Sequence, residues 1–342
     1  MMTEVLLATH NGEKYLREQL DSLLNQSEQD FKILARDDGS TDDTLKILSD
    51  YETRFPQKIK IIKDDKNCGG AAQNFMELTM HASADYVMFS DQDDVWCADK
   101  IKISLESMKK AEEVYGKNMP VLVFTKYVPV DQNLNEIKRG HKWERDRKCT
   151  EKQVVNQAEI YTGNNAESHV KNRSENYNGN INGNLAFNRL LVQNYVSGCL
   201  IMMNKSLYTK LGNYDDSIIM HDWWAALVAS AIGKIVFSDT VTMLYRQHTD
   251  NTLGDIDTKS FSYMWRRLGD PNTKTKKYLY KKQAELLCSR FADELPQESQ
   301  KIVTDFLAVF AEKSKIKRIK KLIKGGYLKG NFVQKVGQIM YI

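Results

Sequence analysis

Long apolar runs are missing from this 342-residue sequence. Nothing approaches the roughly 18 uninterrupted apolar residues of a membrane-spanning helix. The longest candidate, Trp223 to Phe237, is interrupted by Lys234. The opening MMTEVLLATHNG has neither a basic segment nor a long apolar stretch, so no secretory leader is expected. Cysteine is sparse as well. Cys68, Cys97, Cys149, Cys199 and Cys288 are odd in number and far apart, with no zinc-ligand or redox spacing. That pattern argues against a disulfide framework or zinc module, and reduced thiols in a cytoplasmic protein are the expectation. Net charge is small, +4 from 49 basic and 45 acidic residues. With no recognisable binding module beside it, nucleic acid is not expected as a partner. Internal repeats are absent.

What is present reads as an ordinary globular chain, 42% apolar and 27% charged. Its length suits one enlarged catalytic domain with a smaller appendage. Short apolar runs bounded by turn residues predict strands at Val5–Ala8, Phe31–Ala35, Ile59–Ile62, Tyr86–Phe89 and Val121–Phe124. Helical periods lie between them, as in Leu16, Leu20, Leu23 and later Leu45, Leu48, Tyr51. Ser40 or Thr41 is expected to cap the second helix, with Asp42 and Asp43 in its first turn. Alternating strands and helices imply an α/β fold, a mostly parallel sheet with helices on both faces. Further on, Trp223–Ser230 reads as a buried helix and Lys234–Phe237 as a strand. Residues 140–185 are polar and Asn-rich, an insertion within a catalytic domain expected over 1–255. Residues 256–342 read as a basic helical C-terminal region.

In such sheets ligands bind beyond the carboxyl ends of the strands, so those loops carry the functional argument. The first strand ends in Thr9-His10-Asn11-Gly12, a turn that admits a flat ligand or serves as a plain connection. The second ends in Arg36-Asp37-Asp38-Gly39, whose carboxylates either bind a nucleoside or cap the next helix. Asn67–Asn74 opens a helix with Gly69, Gly70, Ala71 and Ala72, which suits a nearby phosphate or close helix packing. The strongest signal is Ser90-Asp91-Gln92-Asp93-Asp94-Val95-Trp96. Three carboxylates within four residues repel one another unless a cation neutralises them. Oxygen ligands of this kind select Mg²⁺ or Mn²⁺. In Met220-His221-Asp222-Trp223-Trp224 one carboxylate sits among large aromatics. That setting raises a carboxylate pKa toward that of a general base, or simply caps a helix. Tyr245-Arg246-Gln247-His248 offers an imidazole for a metal and a guanidinium for a phosphate.

In order along the chain, ATHNG, RDDGSTDDT, NCGGAAQNF, DQDDVW, NYVSGCLIMMN, HDWW and YRQH resemble the family 2 glycosyltransferases of GT-A fold. The wording is closest to the rhamnosyltransferase-like branch that builds bacterial surface polysaccharides, and the likeness spans about residues 3–255. It implies an inverting transfer from a nucleotide-diphosphate sugar, with L-rhamnose from dTDP-L-rhamnose as the first expectation and a UDP-hexose as the alternative. The implied acceptor is a glycan or a polyprenyl-diphosphate-linked chain. It places Thr9, Asn11, Asp38, Gly70 and Asp91 around the nucleotide. Asp93 and His248 would hold the divalent metal, Mn²⁺ or Mg²⁺, and Asp222 would be the base. Asp94, Trp96, Gly198, Cys199, His221, Trp223 and Arg246 would surround the donor and acceptor pocket. Lys126 stands where many relatives carry an acid and receives no role.

Residues 313–330 set Ile316, Ile319, Leu322 and Ile323 at helical spacing among lysines, the pattern of a helix lying on an anionic bilayer. Peripheral contact with the inner face of the cell membrane is expected on that ground. Two rivals stand beside the transferase. A nucleotidylyltransferase would need a basic, glycine-rich first loop, whereas the first cation here is Lys14. A non-catalytic nucleotide-sugar-binding subunit would leave Asp222 without a task.

Overall fold

The computed structural model describes residues 2–64, 67–137, 184–248, 272–330 and 332–341. The insertion expected over 140–185 lies almost wholly outside these residues, as does the domain boundary placed at 255. In the first half, β1 (Thr3–Thr9), β2 (Phe31–Asp37), β3 (Ile59–Ile61) and β4 (Tyr86–Ser90) alternate with α1 (Leu16–Leu24), α2 (Thr44–Arg54) and α3 (Ala71–His81). The short β5 (Val95–Trp96) leads into α4 (Lys100–Tyr115) and the long β6 (Val121–Val130). After α5 (Asn184–Leu190), a 3₁₀ turn at Gly198–Leu200 enters β7 (Ile201–Asn204) and the one-turn α6 (Lys205–Tyr208). Then come α7 (His221–Ile232), β8 (Lys234–Arg246), α8 (Asn272–Arg290), α9 (Gln297–Ala311), α10 (Lys315–Lys324) and α11 (Phe332–Tyr341).

Eight strands form one sheet in the order β3-β2-β1-β4-β7-β6-β8-β5. β3, β2, β1 and β4 pair in parallel, and so do β6 and β8. β7 runs antiparallel between β4 and β6, and β5 runs antiparallel to β8. The expected strands are present, and β8 continues well past Phe237 to Arg246. Every residue of β1, β4 and β7 is buried, as continuous apolar runs demand of strands covered on both faces. Each fully buried side chain such as Leu6, Phe89 or Trp224 contributes about 1.5–3 kcal/mol relative to exposure.

The expected cap of α2 is corrected. The helix begins at Thr44, after Asp43, and Ser40, Thr41, Asp42 and Asp43 all precede it. The Ser40 hydroxyl instead donates to Asp37 and accepts from the Asn11 N–H, while the Thr41 N–H donates to Asn11 Oδ1. These side chains join the β1 and β2 loops to each other, and that loop–loop contact outcompetes capping.

The C-terminal helices share the core of the sheet domain. Leu287, Phe291, Phe306 and Leu322 belong to the same apolar cluster as the strands. Arg290 donates to the Leu211 and Asn213 carbonyls at 2.7 Å each, and the Gly330 N–H reaches Gln193 Oε1 at 2.7 Å. On α10, Leu322 is fully buried, whereas Ile316 and Ile323 are 69% and 55% exposed. No helix of the described residues is long and apolar enough to cross a membrane.

Candidate active site

Parallel pairing brings the ends of β1, β2 and β4 to one edge of the sheet: Thr9 lies opposite Asp37, and Leu7 opposite Ser90. The acidic loop begins there. Asp94 is fully buried; one of its oxygens accepts the Arg246 backbone N–H at 3.1 Å, and the other, Oδ2, has no partner. Burial raises the Asp94 carboxyl well above the ordinary range, and Asp93 and Asp91 add to the effect. Asp91 is partly exposed, and desolvation, then Asp93, then Asp222 push it up to about 7. Asp93 Oδ2 meets His248 Nε2 at 2.8 Å, which joins the β4 loop to the chain just beyond β8.

Tight packing holds these loops. The Gln92 amide pairs twice with the backbone of His10, accepting from its N–H at 2.8 Å and donating to its carbonyl at 2.9 Å. Gly12 makes room for that clamp, since a Cβ there would sit 2.3 Å from Gln92 Oε1. Arg246, 1% exposed at its side chain, donates to the Asp93 carbonyl at 2.8 Å, to the Gln132 carbonyl at 2.6 Å and to Glu18. Its guanidinium also stacks over Tyr15, 4.5 Å from the ring centroid, and Tyr15 in turn packs on His248. All three guanidinium nitrogens have protein acceptors, and the side chain braces the loop from within.

On the opposite wall, Asp222 stands at the start of α7, one residue inside His221. The Gly198 N–H donates to its Oδ2 at 3.1 Å and the Trp223 N–H to its Oδ1 at 2.6 Å. Burial outweighs these bonds and raises the carboxyl to about 6. Gly198 is required at this approach, as a Cβ would lie 2.8 Å from His221 Nε2 and 3.2 Å from Asp222 Cβ. His221 is stacked on Phe75 at 4.0 Å and edge-on to Phe89, with both ring nitrogens unpartnered. Burial lowers its pKa to about 3, so the ring is neutral.

The β2 side is rich in hydrogen-bond donors. Asp37 accepts from Thr9 Oγ1 at 2.8 Å and from the Ser40 N–H at 2.7 Å. Asp38 accepts from the Cys68 N–H and, at 3.0 Å, from the Gly70 N–H, which ties the β2 loop to the start of α3. Arg36 lies 3.6 Å from Asp38, and its Nη1 also donates to Asn74 Oδ1 at 2.8 Å. Asn11 adopts a left-handed φ of +49°, which asparagine tolerates better than most residues.

The structure thus gathers the expected residues in two groups. Thr9, Asn11, Asp38 and Gly70 cluster at the ends of β1, β2 and the start of α3. Asp91, Asp93, Asp94, His248, Asp222, Gly198 and Cys199 converge around the ends of β4, β8 and the start of α7. Trp96, His221 and Trp223, also expected around the pocket, are buried beside these groups. Trp96 is 1% exposed under Lys100, and Trp223 donates its indole N–H to the Leu190 carbonyl at 2.6 Å. Asp94 likewise lies beneath the loop. Sequence reasoning missed Gln92 and Lys100. A polar residue inside the acidic run was the available signal for the first; a lysine within an amphipathic helix gives none for the second. Lys100 is fully buried, its pKa pushed down by desolvation to about 8, and donates to Thr242 Oγ1 at 3.3 Å. Lys126 pairs with Asp239.

A divalent cation fits these side chains. Asp93 and His248 already bring an oxygen and a nitrogen together, with the partly exposed Asp91 beside them.

Known proteins resemble this chain. Residues 4–208 fit the family model "Glycosyl transferase family 2". The dTDP-rhamnosyl transferase RfbG of Shigella flexneri is 27% identical over 293 residues, covering 84% of this chain and 85% of that protein. The putative teichuronic acid biosynthesis glycosyltransferase TuaG of Bacillus subtilis is 33% identical over 107 residues, 31% of this chain and 42% of its own length. Among solved structures, S. aureus TarS 1-349 in complex with UDP superposes with a TM-score of 0.53 at 16% identity, covering 91% of this chain and 71% of that one. The chain belongs to glycosyl transferase family 2, with the GT-A fold and a rhamnosyltransferase-like sequence.

Proposed function

We propose that this glycosyltransferase moves a sugar from a nucleoside diphosphate to an acceptor hydroxyl with inversion at the anomeric carbon. The observation that carries this reading is Asp222, a buried carboxylate raised to about 6 and near enough to Asp91 to influence its charge. A base with such a pKa is largely ionised at neutral pH yet still takes a proton effectively. The Gly198 and Trp223 N–H groups fix its two oxygens, so the remaining lone pairs have a defined direction. The acceptor hydroxyl gives its proton to Asp222 as its oxygen attacks the anomeric carbon from the side opposite the diphosphate. A single displacement with one base inverts that carbon, by the geometric logic of inverting hydrolases.

Asp93 and His248, assisted by Asp91, would hold the divalent ion, whose charge stabilises the departing diphosphate. Gln92 and Arg246 hold the loop that carries these ligands, so that the site is organised before substrate arrives. Thr9, Asn11, Asp38 and Gly70 border the nucleoside. Likeness to a dTDP-rhamnosyl transferase over most of both chains supports dTDP-L-rhamnose as donor. The proposed acceptor is a glycan or polyprenyl-diphosphate-linked chain in surface-polysaccharide synthesis, as the family resemblance implies. The cations of α10, with Ile316 and Ile323 exposed between them, support peripheral contact with an anionic bilayer.

A donor-hydrolysis screen tests this reading. Nucleoside-diphosphate release is followed for dTDP-L-rhamnose and a panel of UDP-sugars, with and without Mn²⁺ or Mg²⁺. Release from dTDP-L-rhamnose only with metal, and its loss in Asp93→Ala, is the expected pattern. Equal release without metal counts against the site, and preference for a UDP-sugar replaces the donor.

A further inference from the structure

Cys199 brings a sulfur into the acidic cluster, and the transfer chemistry above gives that sulfur no task. Its position follows from topology. β7 pairs antiparallel with β4, so the 3₁₀ turn entering β7 lies beside the loop leaving β4. The Cys199 Sγ and one carboxylate oxygen from each of Asp91 and Asp94 consequently lie within 4.8 Å of one another. Cys199 is 3% exposed and Asp94 is fully buried.

A second observation points to a ligand at this place. Asp94 Oδ1 takes the Arg246 N–H, but Oδ2 is buried with no donor. Lys100 attracts Asp94 electrostatically, but its ammonium bonds Thr242 Oγ1 and lies over the Trp96 ring, and it makes no ion pair with Asp94 among the described residues. A buried acceptor without a partner is rare enough to require an explanation.

The donor set is one sulfur and two carboxylate oxygens. Hard cations such as Mg²⁺ take oxygen ligands, whereas a thiolate selects a borderline or soft ion. We propose that Asp91, Asp94 and Cys199 form a thiophilic divalent-cation site of the Zn²⁺ class, separate from the Asp93–His248 pair. Binding forms one metal–sulfur and two metal–oxygen bonds, and the thiol proton leaves to solvent. No electron changes hands. Metal–ligand lengths of about 2.0–2.3 Å place tetrahedral ligands roughly 3.5 Å apart, so the cluster must contract slightly. The partly exposed Asp91 is the member with freedom to do so. Occupation withdraws Asp91 from any other ligand, which makes such an ion an antagonist of the proposed donor chemistry.

Co²⁺ titration of the full chain under reducing conditions tests the site without any nucleotide sugar, so its outcome is separable from that of the donor screen. The parent protein is expected to develop a sulfur-to-cobalt charge-transfer absorption that saturates near one equivalent and is displaced by Zn²⁺. Cys199→Ser should abolish it, while Cys68→Ser, Cys97→Ser and Cys288→Ser keep it. Asp93→Ala should also keep it, which separates the two sites. Asp94→Asn, which preserves the thiol and the packing volume, should keep the absorption but weaken Co²⁺ at least ten-fold. That variant decides the matter if Cys199→Ser does not fold. Absence of the absorption in the parent protein, its survival in folded Cys199→Ser, or unchanged affinity in Asp94→Asn each overturns the proposal.

Discussion

Two acidic loops stand side by side at the ends of β2 and β4, and they treat their carboxylates in opposite ways. In the β2 loop nearly every oxygen is answered. Asp37 is bonded by Thr9 and Ser40, Asp38 by the N–H groups of Cys68 and Gly70, and Asp42 by those of Glu13 and Thr44. In the β4 loop donors are scarce. Asp94 Oδ2 has none, and Asp91 is surrounded by other acids. Clustering of acids therefore does not itself mark a cation site. What marks it is clustering without donors, since a carboxylate fed by N–H groups is already neutralised locally.

The largest expected effect comes from the wall facing the β4 loop. Asp222→Asn preserves the side-chain volume but keeps only one of the two backbone hydrogen bonds, since its amide nitrogen cannot accept, and it removes the proton acceptor; kcat is expected to fall by about 10²–10⁴-fold. Steady-state kinetics and a circular-dichroism spectrum check that the loss is chemical. A near-parental rate would return the chain to the reading of a non-catalytic binding subunit.

The two loops should also respond oppositely to pH. Asp91 and Asp222 hold protons more firmly when folded, at about 7 and about 6 against an ordinary 3.8. Their contribution to stability is complete below the unfolded value and is lost as pH rises through the folded ones. Asp42 runs the other way. Burial would raise it, but hydrogen bonds from Thr44 and Glu13 win and hold it low, so its contribution is lost as pH falls. Metal-free protein should lose stability from pH 4 to pH 7 by denaturant titration, and added Mn²⁺ should reverse that loss. Turnover, which needs Asp222 ionised, should rise with pH along a limb centred near 6. A flat stability curve in metal-free protein would contradict the assignment of surplus charge to the β4 loop.

A smaller effect, on stability alone, belongs to the β2 loop. Asp37→Ala leaves Ser40 and Thr9 without their acceptor and should cost about 1–3 kcal/mol. Thermal unfolding measures it. A loss of turnover in a fully folded Asp37→Ala would erase the contrast between the loops.

Much of this was legible before any coordinates. Fully buried parallel strands announce themselves as apolar runs, and β1, β2 and β4 did so, with their loops following by rule. β7 did not. Its four residues Ile201–Asn204 are too short to tell from a helical segment, and its antiparallel direction depends on the connection before it. The identities of the site acids were readable from their spacing, but their solvation was not. Arg246 and Trp96 belong to residue types that commonly face ligands, yet tertiary packing turned both inward. Local preference makes Ser40 or Thr41 the expected cap with Asp42 and Asp43 in the first turn, and contacts to the β1 loop override it.

The central claim is that the acids of the β4 loop hold a cation because the protein gives them few donors. Calorimetric titration of Mn²⁺ into metal-free protein, run in parallel for the parent chain, Asp93→Ala and Asp37→Ala, tests it most directly. The account predicts saturable binding in the parent and in Asp37→Ala, and loss of binding in Asp93→Ala. Mn²⁺ bound equally well by folded Asp93→Ala would contradict it.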